Sequence, residues 1–76
     1  MNKERRKALR QWNKKAEELK SALEDILWDE QNYYDNIPEN LQFSERAEIS
    51  EEAINQMEDA IDDLGDVIET IDNIII

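Results

Sequence analysis

Tyr33-Tyr34-Asp35-Asn36-Ile37-Pro38-Glu39-Asn40-Leu41-Gln42-Phe43-Ser44 contains the only proline of the chain and separates two long helical patterns. Pro38 lacks an N–H and drives Ile37 out of the α region, so a helix arriving from the N-terminal side must stop near Asp35 or Asn36. Ser44 has the short hydroxyl side chain that caps the first free N–H groups of a following helix. The stretch reads as a corner, and the residues on either side read as two arms.

Along the first arm, apolar residues fall at Leu9, Trp12, Ala16, Leu19, Leu23 and Ile26, skip Glu30, and resume at Tyr33. Steps alternating between three and four mark a heptad seam, the pattern of a helix packed lengthwise on another. Ala8, Ala22, Leu27 and Tyr34 lie beside that seam and widen it. Trp12 is expected in the core. Trp28 lies about 160° around the helix from Ile26; it reads as a contact surface or as cover for a neighbouring subunit's core edge. Glu30 is expected to bond Tyr33, Tyr34 or a backbone group at the corner.

The second arm is more regular. Ala47, Ser50, Ile54, Met57, Ile61, Leu64, Ile68, Ile71 and Ile75 form one stripe, and Ala53, Ala60, Val67 and Ile74 form a second column with a period of seven. Such a stripe is wider than one facing helix covers. Gly65 sits inside the helix off the stripe, where glycine costs about 1 kcal/mol relative to alanine.

Two arms of similar length around a short corner predict an all-α antiparallel two-helix hairpin, each helix roughly 50 Å long at 1.5 Å per residue. The expected boundaries are helix 3–35, corner 36–43 and helix 44–75. Because the stripes exceed what one hairpin covers, two hairpins are expected to form a homodimer, a four-helix coiled-coil-like bundle. Its core and dimer seam would comprise Trp12, Leu19, Leu23, Ile26, Ile54, Met57, Ile61, Leu64, Ile68 and Ile71. The apolar end Ile74-Ile75-Ile76 would be covered there or against a host partner.

Charge is divided between the arms. Residues 1–20 carry eight of the nine basic side chains against three acids, and residues 21–76 carry Arg46 alone against seventeen, within a net charge of −11. In a hairpin Arg6, Lys7, Arg10 and Lys14 can face Asp62, Asp63, Asp66, Glu69 and Asp72. That attraction would offset cations at a helix N-terminus and anions at a C-terminus, both unfavourable to the helix dipole. The basic start therefore reads as intramolecular glue before it reads as a nucleic-acid arm.

The chain has no cysteine and no histidine, so it offers no disulfide, no thiolate ligand and none of the commonest general base. Di-iron bundles need Glu-x-x-His pairs, which are missing. The acid-rich segment Asp59–Asp66 fails the spacing of a calcium loop, because Ile61 and Leu64 interrupt the ligand positions. No Gly-rich phosphate loop or nucleophile–base pair is present. No apolar run approaches the roughly 20 residues of a membrane span, and no hydrophobic region follows the charged start as in a signal peptide. The expectation is a cytoplasmic protein without cofactor, metal or enzymatic activity.

Acidic residues on the second arm fall mostly off the stripe. Glu58, Asp59, Asp62, Asp63 and Asp66 read either as a solvated face or as an imitation of nucleic-acid phosphates aimed at a basic protein surface. In the second case Trp28 and Tyr34 would anchor the contact.

The corner from Glu30 to Gln42, followed by Ser44-Glu45-Arg46, resembles a family of small acidic proteins of bacteriophages and integrated mobile elements of Gram-positive bacteria. The Lys/Glu/Arg-rich opening and the heptads Ala53-Ile54, Ala60-Ile61-Asp62-Asp63 and Val67-Ile68-Glu69 match as well; Trp12, Trp28 and Ile74–Ile76 stand outside the pattern. The resemblance implies a mobile-element origin and a helical hairpin. It carries no assigned activity; by association, a small, strongly acidic, catalytically empty protein of that origin suggests an inhibitor of a host nucleic-acid-targeting defence system, anti-CRISPR or anti-restriction. A structural or assembly scaffold is the alternative.

Overall fold

The structure, a computed structural model, describes residues 1–76. Helix α1 spans Lys3–Asp35, a single 3-10 turn spans Glu39–Leu41, and helix α2 spans Glu45–Ile75. The two helices lie antiparallel as a rod with extents of 59 × 15 × 14 Å. No helix is long and apolar enough to cross a membrane.

Three of the four helix ends are closed by a local side chain. Asn2 Oδ1 accepts from the Arg5 N–H at 2.8 Å and starts α1. At its far end the Asn36 N–H reaches back to the carbonyls of Asn32 and Tyr33, and the Asn36 amide donates to the Asn32 carbonyl at 2.7 Å. The chain then turns into Ile37-Pro38, where no helix can continue. Ile37 is buried under the corner. Ser44 serves both sides of the next junction: its hydroxyl donates to the Leu41 carbonyl at 2.6 Å and accepts from the Ala47 N–H at 3.3 Å. The proline stop and the serine cap are where the sequence placed them.

Three hydrogen bonds between the arms, at two levels, establish the register. The Asn13 amide donates to the Ile68 carbonyl at 3.1 Å and to Asp72 Oδ1 at 2.8 Å. Near the corner, the Ser50 hydroxyl donates to Glu30 Oε2 at 2.8 Å. Position 13 therefore lies level with 68 and position 30 with 50. By the same count Leu27 is level with Ile54, Leu23 with Met57, and Tyr34 with Ala47, which is 1% exposed. The α2 half of the seam runs through Ala47, Ser50, Ile54, Met57, Ile61, Leu64, Ile68, Ile71 and Ile75, all buried or half-buried, as its periodicity implied.

The α1 half differs from the expectation. Its inward residues are Arg6, Leu9, Asn13, Ala16, Lys20, Leu23, Leu27, Glu30 and Tyr34. Trp12, Leu19, Ile26 and Tyr33 lie outside the intramolecular seam, 46%, 67%, 57% and 44% exposed. Both patterns obey the three-four rule and share Leu9, Ala16, Leu23 and Glu30, so periodicity admits either rotation of the helix. The observed rotation gives the polar seam residues partners: Asn13 meets Asp72, and Glu30 meets Ser50. Lys20 also reaches across, its Cε 3.7 Å from where a Cβ on Gly65 would stand. Glu30 is thus bonded across the hairpin to Ser50 and not to the tyrosines beside it.

That same distance gives Gly65 a simple expectation. A methyl group there makes an ordinary van der Waals contact with the end of a flexible side chain, and the backbone is helical. Gly65→Ala should therefore stabilise the protein by up to about 1 kcal/mol. A thermal melt followed by circular dichroism should move upward by several degrees (roughly 4–8 °C per kcal/mol for a domain of this size). A lower midpoint would mean that the lysine cannot yield.

Candidate functional site

The hairpin has two long flanks of different chemistry. Trp12, Leu19, Ile26 and Tyr33 each stand one position before a seam residue of α1. Ala53, Ala60, Val67 and Ile74 stand one position before a seam residue of α2. When two heptad helices run antiparallel, such columns come to the same side of the pair. A shallow groove lined by Glu30, Tyr33, Arg46, Ile49, Ser50 and Ala53 joins the two columns at the corner end. The α1 column is a ridge of large side chains. The α2 column rises from alanine near the corner to Val67 and Ile74 near the termini, both well exposed. One flank is thus an uncovered apolar strip running most of the length of the rod.

The opposite flank is polar. It carries Arg10, Glu17, Glu24 and Gln31 from α1 and Glu51, Glu58, Gly65 and Asp72 from α2. Near the termini Arg10, Asn13, Lys14, Glu17 and Asp72 line an open depression bounded by Ile75 and Ile76. Asn13 Oδ1 lies buried there without a hydrogen-bond partner.

Glu58, Asp59, Asp62, Asp63 and Asp66 are all exposed, Glu58 on the polar flank and the rest over the outer back of α2. The expected ion pairing between the arms is not formed. The single salt bridge of the chain is Lys20–Glu24 at 3.5 Å, within α1. The basic side chains of Arg6, Lys7, Arg10 and Lys14 hold none of the acids of α2 within ion-pair distance, and Asp72 accepts instead from the Asn13 amide. The five acids are therefore left uncompensated. No three carboxylates converge closely enough to hold a metal ion.

Trp28 is exposed on the outer surface of α1, on the side away from the apolar ridge. Tyr34, six residues on and so about 120° around the helix, is half-buried at the seam. The two do not form one exposed patch. Trp12, Leu19 and Ile26 of the expected core and dimer seam stand on the surface of the single hairpin. Comparison with protein-family models, with curated proteins and with solved structures returns no match.

Proposed function

We propose that this protein works by binding another protein through its apolar flank, as a non-enzymatic helical assembly module. The observation that carries this reading is the uncovered ridge of Trp12, Leu19, Ile26 and Tyr33 beside Val67 and Ile74. Scattered apolar residues are ordinary on a protein surface, whereas a contiguous strip of this length marks an interaction face. A photoreactive phenylalanine analogue placed singly along α1 tests it in the expressing cell. Adducts should form from positions 12, 19, 26 and 33 and be absent from 11, 18, 25 and 32. Adducts without that seven-residue period would overturn the reading.

A second reading is favoured by a separate observation, the absence of any cation paired with the acids of α2. In it, Glu58, Asp59, Asp62, Asp63 and Asp66 imitate a phosphate string and block the basic channel of a host restriction or CRISPR nuclease. The resemblance to small acidic mobile-element proteins fits this reading. Converting all five acids to their amides should then abolish inhibition of plasmid cleavage while leaving helicity intact. Undiminished inhibition by the amide variant excludes the imitation.

A further inference from the structure

We infer that the occupant of the apolar flank is a second copy of this chain, seated with both corners at the same end so that α1 of each copy lies over α2 of the other. This rests on the reading of the flank as an interaction face and names its partner. The area of the hairpin argues for a large covering surface. A compact monomer of 9.0 kDa exposes roughly 4,800 Å², whereas this chain exposes 6100 Å². Its radius of gyration is 17.3 Å, against about 11 Å for a compact domain of this length. The excess exceeds the roughly 800 Å² that each partner contributes to a standard interface. Only five apolar residues are buried, two of them alanines, and no large side chain is fully buried, so the hairpin's own core is thin.

Size and charge choose between the two ways of stacking the flanks about a two-fold axis. With corners together, position i of α1 meets the level of α2 at which the register already pairs the arms. Leu19 then comes within two residues of the level of Ala60 of the second copy, Ile26 of that of Ala53, and Trp12 of that of Val67. In the middle and at the corner end large side chains fall on alanines, the arrangement that fills space without voids, while Trp12 meets Val67 toward the termini. With corners apart, the ridge of α1 would sit on itself and the alanine column would face another α2 across a gap. Charge agrees with size. Corners together sets the basic first half of α1 over the acidic second half of the partner's α2, while corners apart sets one acidic α2 on another.

The chain has no cysteine, so one label can be placed cleanly. Asn40→Cys, exposed in the corner turn, carrying a nitroxide, is measured by pulsed electron resonance, with mass in solution from sedimentation equilibrium. The expected result is a dimer with labels within about 25 Å, given interaxial spacings of 8–10 Å plus the label arms. A dimer with labels roughly 50 Å apart, a helix length at 1.5 Å per residue, overturns the arrangement. A wild-type monomer at millimolar concentration overturns the inference, yet spares the interaction reading if positions 12, 19, 26 and 33 still give adducts with another protein. The double variant Leu19→Glu, Ile26→Glu should be monomeric; if it stays dimeric, the flank is not the interface and the reading of it fails too.

Discussion

Ile54→Ala should leave most of the chain unfolded at 37 °C. Ile54 is one of only five buried apolar residues, and it lies level with Leu27 in the half of the seam nearest the corner. Truncating a buried isoleucine to alanine removes its transfer free energy and leaves a cavity that an antiparallel pair of rigid helices cannot close. Such changes cost about 2–4 kcal/mol. A core in a chain of this size rarely supplies more than about 3–5 kcal/mol, so this one side chain is comparable to the whole. The check is a urea or thermal melt followed at 222 nm, against Ile49→Ala as a control. Ile49 is exposed on the same helix, and its truncation should move the midpoint little. Equal losses from the two changes would mean that helix propensity, and not the seam, holds the fold.

Asn13→Leu has the opposite sign. The amide nitrogen of Asn13 is satisfied by Ile68 and Asp72, but its oxygen is buried without a partner. An unsatisfied buried acceptor costs about 1–3 kcal/mol, and leucine adds apolar area at a seam position otherwise flanked by Leu9 and Ala16. The expected result is a gain of about 1–3 kcal/mol, read as a higher denaturation midpoint. A second consequence separates this account from simple packing. A polar seam residue fixes register at some expense of stability, so the leucine variant should show broader or doubled amide resonances in residues 64–75. A stabilised variant with a single sharp set would mean that Glu30 and Ser50 hold the register alone. A destabilised one would mean that the bond to Asp72 outweighs the orphaned oxygen.

Much of this fold could be read from a few residues whose chemistry admits one local answer. Pro38 forbids the helix to continue, Ser44 begins another, and two heptad arms of similar length leave little choice but a hairpin. The α2 stripe was equally legible, because its isoleucines and leucine sit in one unbroken three-four series. The facing side of α1 was not, for a specific reason. Leu9, Ala16 and Leu23 belong to two overlapping seams, and the more apolar of the two lost. Hydrophobicity favoured Trp12 and Leu19, whereas the fold turned Asn13 and Lys20 inward. Those residues gain partners only when α2 is present: Asp72 for one and the bare edge of Gly65 for the other. No reading of α1 by itself contains them. Charge misled in the same way. Opposite blocks on opposite arms suggested ion pairs, but Asp72 is held by an amide and the one ion pair formed lies within α1.

The two arms are also bound to one length. Asn13 is tied to Ile68 and Asp72, and Glu30 to Ser50, so the segment between 13 and 30 is measured against the segment between 50 and 68. Seven residues added to only one of these segments would keep each helical face but carry Asn13 a full heptad away from Asp72, leaving its amide without that carboxylate. Both ties survive only a change of matched heptads in the two arms together.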